Sequence, residues 1–306
     1  MIIEENERSN RVSSTQWGVI TLVIALTCGA LLYRYLRHEE LGHSAAMFLG
    51  IPAILAIVLV LTPKAKSLTG GILKGITFAL LIVAPLLGEG FVCILFASPL
   101  FYVVGIVIGL IVDWMRKRKA ATLSCVALVL TPMCLEGVIP QLTWNRAQVV
   151  EVVRVVRAPA SAVEVALSQS PHLETKLPPY LRIGFPHPLN AYGTGLTLGS
   201  TRTIHFSGAE GAPPGDLVMR VAKRGPGFVR FETVRDDSKL TQWIGWNSSE
   251  VRWSAVDATH TQVIWRIRFE RRLDPAWYFI PWERAAAHDV AGYLIAANAT
   301  PEYARQ

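Results

Sequence analysis

The sequence predicts two fold classes in series: an α-helical transmembrane bundle, then an α+β domain with an antiparallel sheet and a long C-terminal helix. Three observations carry this. Charged residues make up 17% of the 306, against about 25% in an ordinary soluble domain, while 51% are hydrophobic and the mean hydropathy is +0.35. The deficit is local: residues 1–144 hold 11 Lys+Arg and 8 Asp+Glu, whereas 145–306 hold 19 and 15. At Gln148 the apolar pattern also changes from long runs to period two, which is the strand signature. A wholly soluble protein and a disordered chain are excluded. So is a nucleic-acid binder, despite a pI near 9.4.

A bilayer span needs about 20 mostly apolar residues. An N-terminal tail, 1–16, precedes a membrane domain at 17–144 with five expected spans, near 17–36, 44–61, 72–87, 91–112 and 120–138. The first closes on Arg34 and Arg37, and the second on Pro63, Lys64 and Lys66. From Gly75 to Val112 run 38 residues with one charge, Glu89. As one helix they would extend about 57 Å, far beyond a bilayer. The stretch must fold back, and Gly88-Glu89-Gly90 is the preferred turn, with Pro99 the competing break.

Orientation follows from the cationic loops, which favour the cytoplasm. Lys64, Lys66 and Lys74 precede the third span, and Arg116-Lys117-Arg118-Lys119 follow the fourth. The N-terminus is then cytoplasmic and the C-terminal domain extracytoplasmic; the alternative is a cytoplasmic domain with one fewer crossing. Trp17, Trp114 and Trp144 sit at span ends, where an indole prefers the headgroup layer. Glu4, Glu5 and Glu7 among the first residues argue against a cleavable signal. Ala25-Leu26-Thr27-Cys28 is a poor lipidation site because Thr27 is too large. All four cysteines (Cys28, Cys93, Cys125, Cys134) fall in spans, where Cys acts as a small hydrophobe.

No metal site is expected. In His38-Glu39-Glu40-Leu41-Gly42-His43 the histidines are five apart, not the four that put two on one helix face, so a solvated loop is expected. Glu89, Cys93, Cys134 and Glu136 lack ligand spacing. The sharper feature is a repeat. Pro85-Leu-Leu-Gly-Glu89-Gly90 and Pro132-Met-Cys-Leu-Glu136-Gly137 share Pro-x3-Glu-Gly, at similar distances beyond a cytoplasmic cation. Intramembrane carboxylates at Glu89 and Glu136 are therefore expected at one depth, as a functional site or as groups reaching water at span ends. A negative charge in a helix's first turn is favoured and at its C-terminus disfavoured, so Glu136 is the less easily explained of the two.

Residues 145–306 form the soluble domain. Val149–Val156 reads as a strand, and Ala158-Pro159-Ala-Ser161-Ala-Val163 opens a helix with Pro in its first turn. Further strands are expected near 201–207, 217–224, 228–236, 249–256 and 261–271, with hairpins at Gly225-Pro226-Gly227 and Asp257-Ala-Thr-His260. Asp274-Pro275 caps a helix reaching about Asn298, which Pro281 should kink.

This order of elements, with Val155-Val156-Arg157-Ala158-Pro159 and Gly193-Thr-Gly195…Gly199-Ser-Thr-Arg202, resembles the START-like, or polyketide cyclase/dehydrase (SRPBCC), superfamily. The apolar half, with Thr62-Pro63-Lys64-Ala65-Lys66 and Gly88-Glu89-Gly90-Phe91-Val92-Cys93, resembles the membrane regions of bacterial proteins carrying that domain. The resemblance implies a helix-grip fold, a curved sheet around a long helix with an apolar cavity between, in a multi-pass protein of the bacterial inner membrane. Members bind lipids, sterols or polyketides, and some are enzymes; no superfamily-wide catalytic motif exists to carry over.

Strand parity and helix spacing then nominate cavity residues: Trp253, Trp265, Ile267 and Phe269 on two strands, and Phe279, Trp282, Ala286 and Val290 on the last helix. Arg202 shares parity with Ile204 and Phe206 and could face in toward a ligand anion or reach solvent. His205 lies on the opposite face. No Ser-His-Asp arrangement or phosphate-binding glycine loop occurs, and no cofactor is expected. The domain holds 16 Arg and 3 Lys against 15 acids, a balance suited to anionic lipid. The expected partner is a membrane lipid or another apolar small molecule, not nucleic acid. The leading reading is a membrane-anchored binding protein for such a ligand. The alternatives are an accessory subunit of a larger membrane complex and an enzyme on a hydrophobic substrate.

Overall fold

The computed structural model describes residues 14–36, 51–62, 65–87, 91–117, 135–173, 177–178, 185–209 and 213–301. The chain divides into two compact units, Met1–Leu130 and Thr131–Gln306. Residues 135–144 belong to the second unit, where Glu136 and the Trp144 carbonyl bond Arg271.

The first unit contains α1 (Ser14–Leu36), α2 (Ile51–Leu61), α3 (Leu68–Leu87) and α4 (Phe91–Lys117). The last two form an antiparallel pair. At one end Thr69 donates its hydroxyl to Asp113 at 2.6 Å, and further along Thr77 meets the Tyr102 hydroxyl at 2.8 Å. Between these contacts, Gly105 and Gly109 are spaced four apart, and a Cβ on either would collide with Ile76 or Thr69. Small residues at this spacing let two apolar helices approach closely. Pro99 lies inside α4, so the chain does not reverse there.

The expected five-span bundle is not what the described residues contain. Among them one segment, Ile94–Trp114, is long and apolar enough to cross a membrane; Gln16–Gly29, Pro52–Leu61 and Leu68–Ile82 are shorter apolar helices. The expected spans near 17–36, 72–87 and 91–112 each fall on one helix, α1, α3 and α4, but only in α4 is the apolar run long enough. Most of the expected fifth span, the His38–His43 loop and the Gly88–Gly90 turn lie outside the described residues.

The second unit is a seven-stranded antiparallel sheet in the order β1-β7-β6-β5-β4-β3-β2. Its strands are β1 (Ala147–Val156), β2 (Pro188–Tyr192), β3 (Thr201–Phe206), β4 (Gly215–Gly225), β5 (Phe228–Asp236), β6 (Ile244–Ala255) and β7 (Thr261–Arg271). α5 (Ala160–Ser168) follows β1, and α6 (Ala276–Leu294) follows β7. This curled sheet holding a long C-terminal helix fits the helix-grip architecture. β2 was not expected from the sequence, since Pro188-Leu-Asn-Ala-Tyr192 has neither alternation nor β-branched residues.

Period two explains the core. Thr261, Val263, Trp265, Ile267, Phe269 and Arg271 are all buried along one face of β7. Antiparallel pairing aligns Val229, Val251, Trp265 and Val152 in one row across four strands. α6 packs on this face through Ala276, Phe279, Glu283, Ala287 and Ala291, and Pro281 is accommodated within the helix. At its end the helix loosens into a π-turn, Ile295–Ala299.

The opposite face of the sheet carries a charge ladder. Glu250, 4% exposed, accepts from Arg230 at 3.2 Å, Arg252 at 3.1 Å and Arg268 at 3.2 Å. Burial opposes its charge, but Arg268, Arg252 and Arg230 outweigh it and hold the carboxyl below the usual carboxylate range.

Candidate functional site

The interior between the sheet and α6 is the candidate binding site. Its polar groups come from three strands. Arg202 on β3 pairs across the sheet with Met219, and Met219 with Thr233 on β5, so the three form one inward row. Arg202 is 5% exposed, so it faces in. One Nη donates to the Leu167 carbonyl at the end of α5, the other to Asn298 Oδ1 at 3.3 Å in the π-turn. Its guanidinium carbon stands 4.8 Å over the Phe231 ring. Arg202 thus joins the sheet, α5 and the end of α6, and burial lowers its pKa to about 10.

Arg202 Nε, Thr233 Oγ1 and Trp265 Nε1 face this interior without a hydrogen-bond partner among the described residues, as do Arg271 Nε and the Glu283 carboxylate oxygens near the start of α6. A buried polar group left unpaired costs about 1–3 kcal/mol. Two of the first three are obligate donors and the third can donate. On the strand register Thr233 and Trp265 are two strands and four residues apart, so separate acceptor oxygens, on a ligand or on waters, would satisfy them.

The other nominated residues separate. Trp253, Trp265, Ile267, Phe269 and Phe279 lie in the buried interior, and Val290 packs half-buried against it. Trp282 does not: it is 50% exposed on the outer side of α6. Ala286 is half-buried, and the small residue facing the sheet is Ala287. The phase was misread by about one residue, or 100°, because Glu283 belongs to the buried stripe and a charged residue disguises it. His205, on the other face of β3, is partly exposed and bonds Asp216 at 2.6 Å.

Sequence reasoning missed a second cluster, built on Arg271. This side chain is 0% exposed. It donates to Glu136 at 2.9 Å, the Trp144 carbonyl at 3.0 Å, the Leu273 carbonyl at 2.8 Å, and Asp274. Glu136 also accepts the Ala276 amide at 3.1 Å, so it caps the first turn of α6. The cap expected from Asp274-Pro275 is therefore supplied by Glu136, while Asp274 instead pairs with Arg146 at 2.8 Å and with Arg271. Gly137 has φ +81°, and a Cβ there would strike the Asp274 carboxylate, which explains Gly after Glu136. Glu136 thus serves as a buried ligand of Arg271 within the second unit. Its counterpart in the repeat, Glu89, lies outside the described residues.

Glu283 sits beside this cluster, 5% exposed, and its carboxyl has no hydrogen-bond partner of good geometry among the described residues. Burial pushes its pKa up to about 7, against the pull of the nearby Leu273 amide and Arg271. The signal for Arg271 was present in the sequence: it shares parity with Phe269 and Ile267. A depression of about 370 Å³ lies not in the interior but on the adjoining segment, lined by Gly137, Pro140, Thr143, Trp144, Asn145 and Arg146.

No family model and no curated protein matches the chain. Solved structures resemble its C-terminal half. The Zhui aromatase/cyclase of Streptomyces sp. R1128 is 18% identical, with a TM-score of 0.30, over 49% of this chain and 84% of that one. Ginseng major latex-like protein 151 of Panax ginseng is 12% identical, with a TM-score of 0.29, over 49% and 99%. A START superfamily protein of Mycobacterium smegmatis is 11% identical, with a TM-score of 0.30, over 48% and 96%. These neighbours of the C-terminal half are START- and cyclase-like.

Proposed function

We propose that this chain is a membrane-anchored binding protein whose C-terminal domain holds an apolar ligand, a lipid or similar molecule, bearing an acceptor oxygen. The observation that carries this reading is the trio of orphaned polar atoms on the inner face of the sheet, on Arg202, Thr233 and Trp265. Apolar walls with a few placed polar groups are how small-molecule sites combine affinity with orientation, and Phe231, Trp253, Ile267 and Phe269 provide such walls. The apolar segment Ile94–Trp114 supports the anchor. The cationic loops support a cytoplasmic N-terminus and a C-terminal domain on the far side, in a multi-pass arrangement.

Native mass spectrometry of the full chain, purified in mild detergent, tests the reading. A small apolar molecule bound one to one is expected, and its loss on combining Trp265→Phe with Thr233→Val would place it against these groups. Stoichiometric partner chains with no small molecule would overturn it in favour of an accessory subunit. One observation favours that second reading: β1 is an edge strand of the sheet, the place where another chain can add a strand, and its outer face exposes Val149, Val153 and Val155.

A further inference from the structure

Residues 136–146 are built inside out. Three of their polar side chains turn inward: Glu136 and Arg146 bond the Arg271–Ala276 region, and Thr143 Oγ1 accepts the Gly137 amide at 3.1 Å while donating to the Ile139 carbonyl at 2.9 Å, whereas Gln141 and Asn145 stay exposed. Their apolar side chains turn outward, with Val138 72%, Leu142 46% and Trp144 61% exposed. An ordinary surface segment does the reverse. The contacts of Glu136 with Ala276 and of Arg271 with the Trp144 carbonyl set this segment against the start of α6. There Trp277 and Trp282 are 48% and 50% exposed. Exposed arginines, Arg272 and Arg284, lie on the same stretch.

Trp277 and Trp282, about 140° apart around the helix, flank the solvent side of its first turns on either side of the buried stripe. We propose that this segment and the solvent side of the first turns of α6 seat in the headgroup layer of a lipid bilayer. Indoles prefer that layer, with an apolar body toward the acyl chains and an N–H toward water and phosphate. Arginines beside them complement the phosphates. Contiguous apolar patches rimmed by polar groups mark contact surfaces. Continuity of the chain selects the bilayer as occupant: Leu135, just before this segment, stands 21 positions after Trp114, where the apolar segment ends. The Glu136–Arg271 bond then has a mechanical role, holding the seated segment rigidly on the binding domain. The inference rests on the anchoring half of the proposed function and is independent of any ligand.

The test is depth measurement on the full chain in vesicles of phosphatidylethanolamine and phosphatidylglycerol. In a background where the four native cysteines are serine, single spin labels replace Trp144, Trp277 or Trp282. Labels at Val103, exposed on α4, and at Val256 serve as references. Val256 lies beyond the far end of β7, roughly 33 Å from the α6 end. Collision with oxygen and with a water-soluble nickel chelate reports depth. The expected result is an oxygen-to-nickel ratio at 144, 277 and 282 between those at 103 and 256. Ratios equal to that at 256, with 103 reading apolar, overturn the seating and leave anchoring intact. Poor collision with both reagents means a protein covers the face and also overturns it. An aqueous reading at 103 removes anchoring and the inference together. A label-free readout covers loss of folding in the labelled chains. Brominated lipid should quench a fraction of native tryptophan emission that shrinks in W144F/W277F/W282F, and an unchanged fraction counts against the proposal.

Discussion

The Glu136 carboxylate accepts the backbone N–H of Ala276, 140 residues further along the chain, while also pairing with fully buried Arg271. One side chain thereby caps a helix, neutralises a buried cation and ties the incoming chain to the domain. Removing it should be expensive. Glu136→Ala leaves Arg271 with Asp274 as its remaining carboxylate partner and uncaps α6, so a loss on the order of 3 kcal/mol is expected. Denaturant unfolding of the purified chain, followed by near-ultraviolet circular dichroism, measures it. A change below about 0.5 kcal/mol, the range of inert surface substitutions, would sink this account of the cluster.

Gly137→Ala should be nearly as harmful as the loss of its neighbour. It forces φ +81° on a residue with a Cβ and drives that Cβ into the Asp274 carboxylate. The cost expected is about 1–3 kcal/mol from backbone strain, plus disruption of the Arg146–Asp274 pair. Gly225→Ala is the control: its φ is not positive, and the nearest atom to an added Cβ is a phenylalanine ring carbon 3.9 Å away. Equal melting temperatures for the two variants would contradict the assignment.

Glu283 gives stability a pH dependence of definite sign. Its folded pKa, about 7, is raised above the ordinary value of 4.5 by burial. Between these values the folded state binds more protons than the unfolded one, so stability falls as pH rises through the window and is flat above it. The swing is roughly 3 kcal/mol, from about 1.4 kcal/mol per pKa unit. Glu283→Gln removes the ionisation, so the variant should exceed the parent in stability at pH 8. Matching pH profiles for parent and variant, from urea midpoints at pH 5 and pH 8, would falsify this.

Trp265→Phe separates stability from binding. The indole N–H is buried without a partner among the described residues, so its removal offsets part of the cavity cost of the smaller ring, and the ligand-free domain should lose no more than about 1 kcal/mol. Retention of an oxygen-bearing apolar probe should weaken roughly tenfold, about 1.4 kcal/mol. Titration of a fluorescent fatty acid into the delipidated full chain reads both effects. Unaltered affinity together with a larger loss of stability would mean that Trp265 is ordinary packing. Ala287→Trp is the companion steric test: it should block probe uptake while the far side of the sheet, with its Glu250 ladder, stays intact.

Topology is checked separately. A reporter fused after Gln306 should be active only outside the cytoplasm, and one inserted at 117–119 only within it. Both reporters active on one side would overturn the proposed orientation.

Much of this protein could be read from local pattern. Alternation on β7 placed Trp265, Ile267 and Phe269 inward because successive strand residues face opposite ways whatever the fold. Pro159 and the turns at 226–227 and 257–260 follow from backbone preferences that act within a few residues, and the antiparallel pairing of α3 and α4 follows from an apolar stretch too long for one span. The buried clusters could not be read in this way. Glu136, Arg271 and Asp274 are far apart or oddly placed in sequence, and hydropathy counts each as a surface residue. Burying them is tolerable only when opposite charges and helix amides converge, and that convergence is a property of the packed chain. The same reason accounts for the misread phase of α6. Glu283 argued for a solvent-facing stripe by its type, and only packing against the sheet decided that Ala287, rather than Ala286, faces the interior.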